Sequence, residues 1–249
     1  LYVKGNDHLR PINYYENIGS AQVKSCIMLA ALNAPGKTKI TAKNSRNHTE
    51  ILYKYLNIPI KILKKKNISL IEIKSKNNIQ PLNYKIPSDI SSSAFFVVLT
   101  LLTKKSSLII KNVNINESRI GSMIILNKMG ARIVFKNKRN YKGEKIADIH
   151  VKSAKSLKSI KCPTKYNSSA IDEFLIIFLV AAKSKGVSYF KDLSELNKKE
   201  SQRLKLGSKI LNKIGIKTKL TNNSIKIYGD PNLDLKKNYE IKNFFKDHR

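Results

Sequence analysis

Residues 125–130 read ILNKMG and residues 210–215 read ILNKIG. The two hexapeptides differ at one position, and YKYLNI (53–58) holds the same place in an earlier copy. Each is followed by a short run that alternates apolar and polar residues: PIKIL (59–63), ARIVF (131–135) and IKTKL (216–220). Successive strand side chains point to opposite faces, so the alternation predicts a half-buried strand after each helix. A polar segment lies upstream of each helix: KNSRNHTE (43–50), NVNINESR (112–119) and SELNKKESQR (194–203).

A second module precedes each of these. SAQVKSCIMLAALN (20–33) carries Val23, Ile27, Ala30 and Ala31 at helical spacing, with Ser20 placed to cap it. Ser91–Thr103 and Ile171–Lys183 have the same character. Each runs through a turn into a strand: GKTKITA (36–42), SSLIIKN (106–112) and GVSYFKD (186–192). ISLIEI (68–73) and NSIKIYG (223–229) read as closing strands, while Lys136–Ala170 reads as a polar interruption. The unit is helix, strand, polar loop, helix, strand, with a further strand in two copies. One such unit cannot bury its own apolar face, so the copies are expected to pack helix to helix around a common centre. Pro81 and Pro87 break the pattern, which puts a domain boundary between Pro81 and Asp89. Leu1–Tyr15 reads as the tail of something larger, and KDHR (246–249) ends without an element to cover the sheet.

Composition narrows the function classes. Hydrophobic residues make up 41% of the 249 and charged residues 26%, a globular balance. The most apolar run, Phe174–Ala182, is too short to span a bilayer. Two cysteines, Cys26 and Cys162, exclude a disulfide framework. His8, His48 and His150 fall in no metal-ligand spacing, so no structural zinc is expected. No phosphate-cradling glycine motif for ATP or nicotinamide occurs. The net charge of +31 points to a polyanion. Yet 41 Lys, 33 Ile and 25 Asn all have A/T-rich codons, only 7 of the 48 basic residues are Arg, and Lys is spread throughout. Codon drift plus solvation accounts for the charge without a nucleic-acid partner, and a small phosphorylated substrate suits it equally.

Four places stand out from the repeat. Ser20-Ala21-Gln22, with Lys24 nearby, combines hydroxyl, amide and helix-end N–H groups, as an anion site or as an ordinary cap. Asp172 and Glu173 open an apolar helix, as caps or as a general base. Lys199 and Arg203, at i and i+4, would share a helix face. Glu200 could neutralise them, or they could clamp a phosphate or carboxylate. Asp247-His248-Arg249 closes the chain.

These residues together carry a family resemblance. GSAQVKSCIMLAALNAPGKTKI (19–40) with SRNHTE (45–50) resembles 3-phosphoshikimate 1-carboxyvinyltransferase, the EPSP synthase family. PSDISSSAFF (87–96) is similar to its PGDxSSAAFF, IDEF (171–174) to IDEFP, KKESQRL (198–204) to VKESDRL, and DHR (247–249) to its late DHR. The ordered set covers essentially the whole chain.

The resemblance implies an α/β fold, a two-domain inside-out α/β barrel built from repeated βαβαββ units and truncated here at both ends. Residues 1–86 would be the remainder of the first domain and 87–249 most of the second. It implies transfer of the enolpyruvyl group of phosphoenolpyruvate to the 5-hydroxyl of shikimate 3-phosphate, with no metal or redox cofactor. Carried over, Ser20, Ala21, Gln22, Ser45 and Arg46 would bind shikimate 3-phosphate. Asp172 would orient the 5-hydroxyl and accept its proton. Lys199 would bind shikimate 3-phosphate and relay a proton, and Glu200 would exchange a proton at the methylene carbon. Arg203 and Arg249 would hold phosphoenolpyruvate, with His248 a secondary acid–base group. It further implies a cytoplasmic, monomeric full-length enzyme.

Departures exist. Asn197-Lys198 replaces Arg-Val, and Gln202 replaces the Asp that could orient the next Arg. The family's N-terminal Lys-Ser and Arg, its glycine-containing loop, another Arg and its late Lys have no counterpart here. The 249-residue piece alone is therefore expected to be inactive. The related transferase acting on UDP-N-acetylglucosamine is a weaker match, since neither cysteine sits in a reactive loop. A basic nucleic-acid-binding module would leave Asp172, Glu200 and the ordered motifs unexplained, and has no aromatic or zinc signature.

Overall fold

The computed structural model describes residues 2, 4–235, 237, 240 and 247. His248 and Arg249, expected above as a secondary acid–base group and a phosphoenolpyruvate ligand, lie outside the described residues. The chain divides into two compact units: residues 1–86 with 140–145, and residues 87–139 with 146–249.

In the first unit, β1 (Asn13–Glu16), α1 (Ala21–Ala31), β2 (Lys37–Lys43), α2 (His48–Tyr55), β3 (Ile60–Lys64) and β4 (Ile68–Lys74) follow one another. The sheet order is β1-β2-β4-β3, with β1 parallel to β2 and the other pairs antiparallel. One face of β2 and β4 is buried at alternate positions, as the period-2 pattern requires. Ile40, Ala42, Ile71 and Ile73 pack there against Met28, Ala31 and Tyr53 of the two helices.

The second unit holds two further copies. The first is α3 (Ile90–Leu102), β5 (Ser107–Asn114), α4 (Gly121–Lys128), β6 (Arg132–Tyr141) and β7 (Glu144–Lys152), of which residues 140–145 count with the first unit. The short α5 (Asn167–Ala170) leads into the next copy: α6 (Phe174–Ala182), β8 (Gly186–Phe190), α7 (Arg203–Lys213), β9 (Thr218–Leu220) and β10 (Ile225–Gly229). The sheets are ordered β5-β7-β6 and β8-β10-β9. In all three copies the closing strand sits in the middle. Parallel bridges from Ser88 to Val113, and from Lys158 and Lys161 to Lys185 and Tyr189, stand where β1 stands in the first copy. The apolar α6 is surrounded by protein, as an all-round hydrophobic helix must be. Phe174 and Phe178 meet Phe190 of β8 with ring centroids 5.1–5.9 Å apart.

Two expectations are corrected. The sheets are three separate open sheets, and none of them closes among the described residues. The inside-out barrel is therefore replaced by small mixed sheets with helices packed against them, since each sheet ends at unpaired edge strands. Residues 136–170 are also no polar interruption, because β6 runs on to Tyr141 and β7 supplies the closing strand of the middle copy. The turn between them is Lys142-Gly143, both with positive φ (49° and 88°), the left-handed pair that a two-residue hairpin favours.

No helix among the described residues is long and apolar enough to cross a membrane.

Candidate active site

In the first unit, the candidate residues lie at the N-terminal ends of α1 and α2. Ser20 caps α1, its Oγ accepting from the Val23 amide at 3.2 Å. The preceding loop is held by Glu16. Its buried carboxylate accepts from the Ile18, Gly19 and Ser20 amides at 2.8–3.1 Å. Those N–H groups serve the protein itself; the Ala21 and Gln22 amides belong to the first turn, whose N–H groups find no partner within a helix. Gln22 is exposed.

Lys24 does not join the anion site as expected. It is only 2% exposed, and its Nζ lies 2.6 Å from Glu50 Oε1 of α2 and donates to the Arg46 carbonyl at 2.8 Å. The Lys24 amide bonds the Ser20 carbonyl, so one residue connects the Ser20 cap to the loop bearing Ser45 and Arg46. Ser25 and Thr49 hydroxyls, 2.7 Å apart, tie the same two helices again. Ser45 Oγ is buried without a hydrogen-bond partner among the described residues. A buried hydroxyl left unpaired is costly, and an acceptor oxygen from a ligand would satisfy it. His48 Nδ1 lies 2.5 Å from Glu144 Oε1, both within this unit.

In the second unit the site is built around Arg203, the first residue of α7 and 2% exposed. Its Nε and Nη2 grip Asp247 at 2.8 and 3.1 Å. Nη2 also donates to Glu200 Oε2 at 2.6 Å, and Nη1 to Asp172 Oδ1 at 3.3 Å. Ser201 Oγ donates to the same Asp247 carboxylate at 2.7 Å. Burial alone would lower the Arg203 pKa. The Asp247 hydrogen bond and charge, with the charges of Glu200 and Asp172, outweigh it and raise the pKa above its ordinary value.

Lys199 and Arg203 do not share a helix face. Lys199 is extended (φ −82°, ψ −167°) and α7 starts only at Arg203. The two cations meet at Asp172 instead, whose Oδ1 is 3.8 Å from Lys199 Nζ and 3.3 Å from Arg203 Nη1. The anion that relieves their repulsion thus comes from the turn before α6, and Asp172 pairs with cations rather than capping that helix. Glu200, 47% exposed, is the most accessible carboxylate of the group. The arrangement offers a buried guanidinium, an ammonium and carboxylates with different access to solvent. That set can hold an anion and move protons at a nearby carbon or oxygen.

Sequence reasoning missed Glu16, Glu50 and the Asp247–Arg203 grip. Each partner lies on a different element, so no local spacing signals it. Glu16 was the exception, being three residues before a Gly-Ser helix start. Among the described residues, no group of three His, Cys, Asp or Glu could hold a metal ion.

The family model for EPSP synthase (3-phosphoshikimate 1-carboxyvinyltransferase) matches residues 1–249. The chain is 40% identical over 230 residues to the 3-phosphoshikimate 1-carboxyvinyltransferase of Ruthia magnifica subsp. Calyptogena magnifica, covering 92% of this chain and 52% of that protein. The Clostridium tetani enzyme of the same name is 38% identical over 250 residues, covering 100% and 55%. The solved EPSP synthase of Acinetobacter baumannii superposes with a TM-score of 0.81 at 37% identity, covering 89% of this chain and 49% of that one. The enolpyruvyl transferase NikO from Streptomyces tendae, at 12% identity and a TM-score of 0.65, shares the fold, with 90% and 52% covered. The chain spans about half the length of these relatives.

Proposed function

The chain belongs to the EPSP synthase family, and from that premise we propose that the full-length protein transfers the enolpyruvyl group of phosphoenolpyruvate to the 5-hydroxyl of shikimate 3-phosphate, releasing phosphate. The product would feed the shikimate pathway to chorismate. Residues 1–86 would be the remainder of the first domain and 87–249 most of the second. A cytoplasmic location and a monomeric full-length form go with this reading.

The observation that carries it is the gathering of Asp172, Lys199 and Glu200 around Arg203. The reaction protonates the methylene carbon of phosphoenolpyruvate while a hydroxyl attacks the neighbouring carbon, and phosphate then leaves a tetrahedral intermediate. It needs one group to take the hydroxyl proton and another to exchange a proton at the methylene carbon. Asp172, held in place by two cations, would be oriented toward the hydroxyl for the first task. Glu200, with access to solvent, suits the second, and Lys199 beside Asp172 can relay the proton. Arg203 would hold the phosphoenolpyruvate carboxylate or phosphate. Four hydrogen bonds already occupy its guanidinium, which has five N–H donors. One N–H, on Nη1, is left for a substrate anion, and a two-point grip through Nη1 and Nη2 would require Glu200 to give up its bond, which would free that carboxylate for proton transfer as the substrate arrives. Ser20, Ala21, Gln22, Ser45 and Arg46 would bind shikimate 3-phosphate, with the buried Ser45 hydroxyl donating to a phosphate oxygen. His248 and Arg249 complete the proposed set, as secondary acid–base group and phosphoenolpyruvate ligand. Cys162 is buried and its thiol is pushed up to about 11, and the exposed Cys26 lies within α1 rather than in a loop, which weighs against the cysteine-dependent reaction on UDP-N-acetylglucosamine.

The test is phosphate release from phosphoenolpyruvate with shikimate 3-phosphate as acceptor, run with the full-length protein and with the 249-residue chain. Turnover by the full-length protein alone is expected. Turnover with UDP-N-acetylglucosamine in place of shikimate 3-phosphate would overturn the assignment.

A further inference from the structure

We infer that Lys24 and Glu50 are positioning residues that set the shikimate 3-phosphate site, acting through the Arg46 carbonyl; this rests on the function proposed above. Lys24 follows the Ser20 cap by one turn of α1, and its ammonium holds both Glu50 and the Arg46 carbonyl. The spacing between the two groups proposed to grip one phosphate, Ser20–Gln22 and Ser45–Arg46, thus runs through one side chain. Glu50 fixes that side chain from α2, the helix that follows the loop. The two charged side chains are buried against each other, with Lys24 at 2% and Glu50 at 5% exposure.

Stability does not explain the pair. Taking an ammonium and a carboxylate out of water costs more than a surface pair returns, and an apolar pair of similar volume is commonly as stable. What an apolar pair cannot do is donate to the Arg46 carbonyl. Glu50 Oε2 has no partner among the described residues, so the carboxylate is spent on the lysine alone. The ammonium's directed bond to the loop is what distinguishes this arrangement from a core contact. Held this way, Ser45 Oγ stays buried and unpaired, ready for an acceptor.

The experiment uses the full-length protein and two double variants. Lys24→Met with Glu50→Leu removes the charges together and keeps the volume. It should fold with a thermal midpoint near that of the parent. Its KM for shikimate 3-phosphate should rise on the order of 10²-fold, the loss that a displacement of about 1 Å can cause. Its KM for phosphoenolpyruvate should move far less. Ser25→Ala with Thr49→Val cuts the other tie between α1 and α2 and should leave both KM values as they were. A folded Lys24→Met/Glu50→Leu protein with parental KM for shikimate 3-phosphate overturns the inference. So does an equal rise in the Ser25→Ala/Thr49→Val variant, since helix spacing in general would then be responsible. Amide hydrogen exchange at Ser45–Asn47 in the unliganded proteins keeps the two readings separable. If the parent shows no turnover, the function assignment fails by itself. Exchange at these amides must still quicken in Lys24→Met/Glu50→Leu, and unchanged exchange rejects the positioning role directly.

Discussion

Arg203 shows how much of this protein's chemistry is carried by single buried side chains. A guanidinium taken from water must be matched in charge and in hydrogen bonds, and Asp247 matches it with a two-point grip. Asp247→Ala should cost the full-length protein about 3 kcal/mol, read from its denaturation midpoint, because it strands part of a buried cation. Arg203→Lys should also lower the midpoint, since an ammonium cannot reproduce the planar fork. The cysteines give a contrast at the same scale. Cys26 is exposed on α1, whereas Cys162 is buried and titrates only at about 11. Iodoacetamide at pH 8 should label Cys26 and spare Cys162 until the chain is denatured, as peptide mass mapping would show. The identity of these residues was visible in the sequence. The meeting of residues 172, 199, 200, 203 and 247 was not, because their contacts are non-local.

At the scale of the element, caps and close approaches decide what local patterns leave open. Asp89 caps α3, accepting from the Ser92 amide and hydroxyl, and pairs with Arg119, whose guanidinium also reaches Ser91 Oγ. Burial alone would raise the Asp89 pKa. The Ser92 bonds, the Arg119 charge and the Ser91 amide outweigh it and hold it below the ordinary value. A carboxylate depressed in the folded state stabilises above its unfolded pKa, and that contribution disappears as pH falls through the folded one. Asp89→Ala should therefore cost about 1 kcal/mol near neutral pH. The gap from the parent should narrow below about pH 4, the unfolded value, in urea titrations across that range. Gly229 ends β10 where a Cβ would lie 2.2 Å from the Ser184 carbonyl oxygen and 2.4 Å from that of Ala181. Backbone cannot yield as a side-chain tip can, so Gly229→Ala should lower stability by about 1–3 kcal/mol, measured by the same titration. The strand missed in the sequence, β7, is buried at four successive positions, 146–149, while residues 136–140 of β6 are exposed one after another. Neither shows the alternation that reveals a one-sided strand.

At the scale of the whole molecule, charge and coverage matter most. The excess of 48 basic over 17 acidic residues gives +31. Such a surface should bind duplex DNA of any sequence at low salt. That affinity should fall about 10³-fold or more between 50 and 200 mM salt, by anisotropy titration, and so differ from a specific partner. Large apolar side chains are also exposed on both units, Leu29 at 57% in the first and Phe96 and Leu99 at 59% and 64% in the second. The chain spans about half the length of its relatives.

The three-fold repeat, its order of helices and strands and the family motifs were determined by sequence alone. They rest on local periodicity and on short contiguous strings, which survive without knowledge of the fold. The central place of each closing strand, the open sheets, the burial of Lys24 against Glu50 and the carboxylates around Arg203 were decided only by tertiary structure. Each depends on residues far apart in the chain being desolvated together. A buried charge takes whichever partner the packing brings within hydrogen-bond reach, and no spacing along the chain encodes that choice.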